Sequence, residues 1–308
     1  MTTPDEIIRN LSVHGLRYSY RVLAQPSPRT DPVVVLGGAL QGMYGWPQMD
    51  EHLGPHAPVV TADLPGMGGA DPLPPGAGDD VLYDAVAGII DDLGAARVNL
   101  FGFSYGTAIA FGYARRNPGR IARLVLGGVP AHISEAQRTQ WGGAVERLGI
   151  GDVEGLATIT AEALMCLDPR RRVHRRELAR RYVRRSFVHA LTHSPHAAQS
   201  LRRALGHRPD FSGGLSGVPA LVFAGEHDTV TSPERQRAFA ETIEGSRFLT
   251  IGDSDHWVVL ERPDDVADLI ARFFTDRPLE AAPALRPLAS LPRPRTGAAG
   301  PVMPRPGS

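Results

Sequence analysis

The chain has no lysine: all 33 basic side chains among its 308 residues are arginine. The 33 acidic residues balance them, leaving no formal net charge, so no overall field directs it to nucleic acid or an anionic membrane. There is one cysteine, Cys166, which excludes an intrachain disulfide and suits a reducing cytoplasm. No apolar run approaches the ~18 residues of a membrane span. The opening MTTPDEIIRN puts acids where a secretory signal needs a basic and then an apolar stretch. Neither a G-x-x-x-x-G-K-[ST] loop nor a strand-linked dinucleotide fingerprint occurs. The expectation is a cytoplasmic protein with no nucleic-acid partner and no membrane partner, needing neither a metal ion nor an organic cofactor.

Short apolar runs are plentiful. Leu16–Leu23, Val33–Leu36, Val59–Ala62, Val98–Phe103, Leu124–Leu126, Leu221–Ala224 and Phe248–Ile251 read as strands. Most are continuous, as in a parallel sheet covered on both faces. "LRYSYRVL" at Leu16–Leu23 alternates instead, and reads as an antiparallel edge strand. Helical patterns at Leu82–Leu93, Thr107–Arg116, Pro233–Thr242 and Asp264–Phe274 lie between the strands. The expected class is α/β, with a mostly parallel central sheet and helices on both faces. The alternation stops between Ala131 and Leu215, where the pattern is helical and arginine-rich. The expected division is therefore a core over 1–130, a helical insertion over 131–217 and the rest of the core over 218–276. From Pro278 to Ser308 there are eight prolines and almost no periodicity, so residues 277–308 are expected to stay disordered.

One junction carries chemistry. In "VNLFGFSYGTAIAFGYARR" a strand runs into Gly102-Phe103-Ser104-Tyr105-Gly106 and a helix follows. A one-residue reversal from strand to helix strains the backbone there and lifts the side chain clear of both elements. The positions two before and two after must be small, because strand and helix approach closely. This is the G-x-S-x-G nucleophile elbow in its strand–turn–helix setting, and the bland alternative is a helix N-cap with flexible glycines. A serine hydroxyl needs a base. Of the eleven histidines, His256 in "GDSDHWVVLERPDDV" follows a strand and opens on the sheet's carboxyl edge with Ser104. Asp228, in "GEHDTVTSPE" after "ALVFAG", occupies the same edge and can orient the imidazole. Asp255 adjoins His256 and reads as a turn residue. The order Ser, Asp, His fits one of the three well-known triad orders.

These motifs together resemble the cap-bearing serine hydrolase branch of the α/β-hydrolase fold superfamily, over roughly Leu16 to Phe274. "VVVLGGALQGMYGW" is similar to the family's H-G-x-x-x…W loop, with Gly37 in place of the histidine, and "DLPGMGGADP" to its D-x-x-G-x-G-x-S loop, with Ala70 in place of the serine. The resemblance implies an oxyanion hole formed by the backbone N–H groups of Ala39 and Tyr105, and an insertion lying over Ser104 as a cap. It implies acyl transfer to water, because relatives that open epoxides or remove halide carry aspartate at the serine's position. The expected function is ester or thioester hydrolysis through a Ser104-His256-Asp228 triad and an acyl-enzyme. The lysine-free composition suggests a GC-rich bacterial genome and, with the resemblance, specialised metabolism. Two alternatives are C–C bond hydrolysis or lysis by the same triad, and a non-catalytic ligand receptor on the same fold. The substrate is a small acyl molecule. The run "RRRVHRRELARRYVRR", Arg170–Arg185, either greets the phosphates of an acyl-carrier protein or CoA thioester or is a solvated helix face. Leu178, Tyr182 and Phe187 are expected to form that helix's apolar side. His189, His193 and His196 have helical spacing but no nearby carboxylate, and are not expected to bind metal.

Overall fold

The computed structural model describes residues 5–286 except Leu40, His132, Pro195, His207, Ala281 and Pro283, with Ala144, Val145 and Leu148 described in backbone alone. Nine strands form one sheet in the described residues, in the order β1-β2-β4-β3-β5-β6-β7-β8-β9. They are β1 Glu6–Val13, β2 Leu16–Leu23, β3 Val33–Leu36, β4 Val59–Asp63, β5 Val98–Phe103, β6 Ile121–Gly127, β7 Ala220–Gly225, β8 Arg247–Ile251 and β9 Leu285–Arg286. The run from β4 through β3, β5, β6 and β7 to β8 is parallel, and the flanking pairs β1–β2, β2–β4 and β8–β9 are antiparallel. Every residue of β3, β5 and β7 is buried, which explains their unbroken apolar sequences: both faces are covered.

Successive strand residues feed two apolar clusters on opposite faces. Val34, Leu36, Val60 and Leu100 pack with helices α2 Asp80–Asp92, α3 Tyr105–Arg116 and α8 Pro233–Ala240. Val33, Val35, Val59 and Phe101 pack with α1 Pro47–Leu53 and α10 Pro263–Phe274. The α/β class with helices on both faces is therefore the observed fold. Between β6 and β7 stand four helices: α4 Glu135–Gly149, α5 Val153–Ala163, α6 Arg176–His193 and α7 Ala197–Gly206. Leu156, Ala161, Val183, Phe187 and Leu201 from these helices join the second cluster, beside Trp257. A short helix, α9 Val258–Glu261, precedes α10. No helix among the described residues is long and apolar enough to cross a membrane.

Three expectations need correction. The antiparallel strand Leu16–Leu23 is paired on both sides, and the edge is Glu6–Val13. That edge strand is mostly exposed, so it carries little apolar signal. Structure also continues past residue 277. Leu279 is buried, the Gly252 N–H donates to the Ala284 carbonyl at 3.0 Å, and β9 adds itself to β8. A few apolar side chains between prolines suffice there because they complete an existing core. The rest of the expected disordered stretch, 287–308, lies outside the described residues. Finally, α6 buries Ala179, Val183 and Phe187, while Leu178 and Tyr182 are half-exposed. The stripe runs at i, i+4, i+8, and its first member is a small alanine that hydrophobic pattern reading passes over.

Candidate active site

Ser104 sits between β5 and α3 with φ 49° and ψ −117°, a region that non-glycine residues rarely occupy. Its N–H is held by the Gly127 carbonyl at 2.8 Å, which pins the turn to β6. The flanking glycines are required by space. A Cβ on Gly102 would lie 2.6 Å from the Gly106 carbonyl oxygen, and one on Gly106 would run into the Leu36 carbonyl. The reversal is thus built on two close backbone approaches, and the serine side chain is left half-exposed at the sheet's carboxyl edge.

The structure brings all three expected polar residues together there. Ser104 Oγ lies 3.0 Å from His256 Nε2, and His256 Nδ1 lies 3.1 Å from Asp228 Oδ2. An ionised carboxylate only accepts, so the Nδ1–H donates to Asp228 and leaves the Nε2 lone pair facing the serine hydroxyl. Asp228 is further fixed by donors: Val230 and Thr231 N–H groups to Oδ1 at 2.9 and 3.1 Å, and Gln236 Nε2 to Oδ2 at 2.9 Å. Gln236 is fully buried. Its Oε1 accepts the Val129 N–H at 2.8 Å, so the amide cannot turn over without losing bonds at both ends. This positioning residue, eight places after Asp228 on α8, was not singled out from the sequence; only a helical register starting at Asp228 would have pointed to it. His256 is buried, which opposes the imidazolium, but the charge and hydrogen bond of Asp228, with the charge of Asp255, outweigh this and hold its pKa above 6.5.

Asp255 is a buried anchor as well as a turn residue. It is fully buried, and its carboxylate accepts the Trp257 N–H and the Cys166 N–H, each at 2.8 Å. The second bond joins the segment between α5 and α6 to the His256 loop. Oε2 of the buried Glu261 carboxyl accepts the Asp255 N–H at 2.7 Å. Burial first, then the charge of Asp255, pushes the Glu261 carboxyl up to about 10. A carboxyl buried beside a second carboxylate keeps its proton, because both burial and like charge oppose its ionisation. The folded state therefore keeps a proton at neutral pH that the unfolded state, with its carboxyl at 4.5, has released. More protons bound in the folded state means that this contribution to stability falls as pH rises from about 4.5 toward about 10. Glu261→Gln keeps an acceptor for the Asp255 N–H and has no titratable proton. Its thermal midpoint is expected to decline less steeply than the parent's between roughly pH 5 and 9. Superimposable slopes in a thermal-shift pH series would show that no such proton is held.

The two loops expected near the serine are tied by Asp63, whose Oδ1 accepts the Met43 N–H and whose Oδ2 accepts the Gly69 N–H, both at 2.9 Å. The Gly38 N–H is taken by Gln41 Oε1 at 2.8 Å. Ala39 and Tyr105, the expected oxyanion pair, both line a narrow cavity of about 70 Å³ that holds Ser104 and His256. A larger cavity of about 710 Å³ shares Ala39, Tyr105 and Ala204 with it and is walled by Arg202, Arg203 and Arg208 of α7 and the following loop. Arg203 is held by the Ala77 carbonyl at 2.8 Å and by Asp79 at 3.1 Å. Arg202 and Arg208 are exposed and have no ion-pair partner among the described residues.

The arginine run is mostly engaged within the insertion. Arg180 pairs with Glu162 at 2.5 Å, Arg184 with Glu154, and Arg170 with Asp168 at 2.9 Å. His189 and His193 stack at 4.4 Å. No group of three or more His, Cys, Asp or Glu side chains among the described residues is placed to hold a metal ion.

Comparison with known proteins agrees with this architecture. The family model described as alpha/beta hydrolase fold matches residues 31–263. A 2-hydroxy-6-oxononadienedioate/2-hydroxy-6-oxononatrienedioate hydrolase of Pseudomonas putida is 35% identical over 103 residues, covering 32% of this chain and 36% of that protein's length. An (R)-3-hydroxydecanoyl-ACP:CoA transacylase of Pseudomonas aeruginosa is 24% identical over 82% of this chain and 83% of its own. Among solved structures, the enol-lactonase of Burkholderia xenovorans LB400 superposes with a TM-score of 0.70 at 24% identity, covering 87% of this chain and all of that one. With its strained serine elbow, its parallel sheet and a family match over most of its length, the chain belongs to the α/β-hydrolase fold family.

Proposed function

We propose that the chain is a serine hydrolase of acyl substrates, with Ser104 as nucleophile, His256 as base and then acid, and Asp228 as orienting carboxylate. The observation that carries this is the unbroken chain from Ser104 Oγ to His256 Nε2 and from Nδ1 to Asp228, at 3.0 and 3.1 Å. Ser104 Oγ attacks the carbonyl carbon as its proton passes to Nε2. The resulting oxyanion is stabilised by the Ala39 and Tyr105 N–H groups, the second at the N-terminus of α3, where the helix dipole adds positive potential. Collapse breaks the bond to the leaving group, which takes the proton from His256. Water, deprotonated by the same imidazole, then releases the acid and regenerates Ser104. No metal ion or organic cofactor takes part in these steps.

Esters and thioesters are the leading substrates. Exposed Arg202 and Arg208 beside the larger cavity favour a phosphate-bearing thioester arm, as in CoA or an acyl-carrier protein, and the relative named as an ACP:CoA transacylase favours the same class. C–C bond hydrolysis is the second reading. A 2-hydroxy-6-oxo dienedioate contains no ester, so hydrolysis at its ketone breaks a carbon–carbon bond, and several relatives carry that name. A fluorophosphonate probe is expected to label Ser104 alone, seen by intact mass and peptide mapping. No adduct on the folded protein, or one elsewhere, would sink the serine-hydrolase reading and favour a ligand receptor. Activity on matched acyl thioesters, esters and 2-hydroxy-6-oxo dienoates then separates the two chemistries.

A further inference from the structure

Three side chains in the narrow cavity have polar atoms with nothing to bind. Trp141 of α4, Thr160 of α5 and Trp257 beside His256 all line the space that holds Ser104. Trp141 Nε1, Thr160 Oγ1 and Trp257 Nε1 are each buried without a hydrogen-bond partner. The residues themselves are 6%, 1% and 7% exposed. A buried polar atom left unpaired has lost its water and gained no partner in exchange, and three of them around one cavity are a large cost to leave unmet. Apart from Ser104, Tyr105 and His256, the rest of the described wall is apolar, with Ile133, Leu164, Phe187, Leu205 and Val230.

The chemistry of these groups selects their partner. Indole N–H groups only donate, and a threonine hydroxyl can also donate, so the missing partner is an acceptor oxygen. Among the described residues no arginine lines the narrow cavity, and its only basic side chain is His256, whose ring is already engaged by Ser104 and Asp228. An ionised carboxylate buried there would lack a counter-charge. We infer that the acyl half of the substrate is an uncharged chain bearing a keto or hydroxyl oxygen beyond the scissile carbonyl, received by Trp141, Thr160 and Trp257. This rests on the acyl-hydrolase reading and sharpens its substrate class.

The test compares nitrophenyl esters of a plain six-carbon acid, its oxo analogue and its carboxylate-terminated analogue. The oxo ester is expected to be turned over with a kcat/KM about tenfold or more above the plain ester, with the carboxylate ester the poorest. Thr160→Val and Trp141→Phe should each shrink the oxo-to-plain ratio, and the pair together should bring it near one, while Thr160→Ser should keep it. A plain ester that equals the oxo ester, or a ratio untouched in the double variant, overturns the inference. Preference for the carboxylate ester overturns its neutrality. A second arm needs no chemistry: binding of the matched oxo and plain acids, as uncharged amides, to Ser104→Ala, followed by indole fluorescence. Preferential binding of the oxo amide supports the inference even if no ester is hydrolysed, and equal binding overturns it even if all are.

Discussion

Ser104→Ala and His256→Ala are each expected to lower kcat by roughly a millionfold, and the double variant to lower it little further. The reason is local. Without Oγ there is no atom to form the acyl-enzyme, and without the imidazole nothing lies within reach to accept the Oγ proton, since His256 Nε2 is its hydrogen-bond partner at 3.0 Å. Either loss disables the same step, so the second adds almost nothing. The expected residual rate is that of a cavity with the proposed oxyanion donors still in place. Folding is expected to survive in both variants. The Ser104 turn is held by its backbone bond to Gly127, and Asp228 keeps three donors when the imidazole is removed. Stopped assays with purified variants of matched circular dichroism measure this. Losses that multiply in the double variant, or a single loss under about a hundredfold, would mean that serine and histidine act in separate steps.

The elbow and the strand-end positions of Asp228 and His256 were legible in the sequence because each depends on local pattern: apolar runs, two glycines at fixed spacing and polar residues just past strands. What supports them was not legible. Gln236 reaches Asp228 from the next helix, and Glu261 reaches the Asp255 N–H from α9; both look like surface polar residues in a one-dimensional reading, because burial of a polar group is decided by tertiary packing. The arginine run left two readings open. Its density suggests a docking face, yet much of it answers Glu154, Glu162 and Asp168 inside the insertion. The edge strand Glu6–Val13 escaped because half-solvated strands need few apolar residues.

Asp228→Asn is expected to lower kcat by about ten-thousandfold, and Asp255→Asn by far less. All four groups around the Asp228 carboxylate are donors: His256 Nδ1–H, Gln236 Nε2 and the N–H groups of Val230 and Thr231. An asparagine must point its NH₂ at some of them. Facing Val230 and Thr231, it leaves two buried N–H groups opposed by a donor. Facing His256, it pushes the ring to the tautomer that accepts at Nδ1 and carries its proton on Nε2. That proton then faces Ser104, and the base is lost. The pH dependence moves as well. Only the neutral imidazole takes the serine proton, so the parent's kcat/KM rises with pH through an apparent pKa above 6.5. The carboxylate charge helps to raise that value, so in Asp228→Asn the remaining activity should reach its plateau at lower pH. Asp255 instead accepts the Cys166 and Trp257 N–H groups, and asparagine there should weaken the link between insertion and core, seen as a lower melting temperature. Its own charge also supports the imidazolium, so a smaller shift of the pH profile in the same direction is expected. If Asp255→Asn proved the more damaging to kcat, the orienting role would belong to Asp255 and not to Asp228.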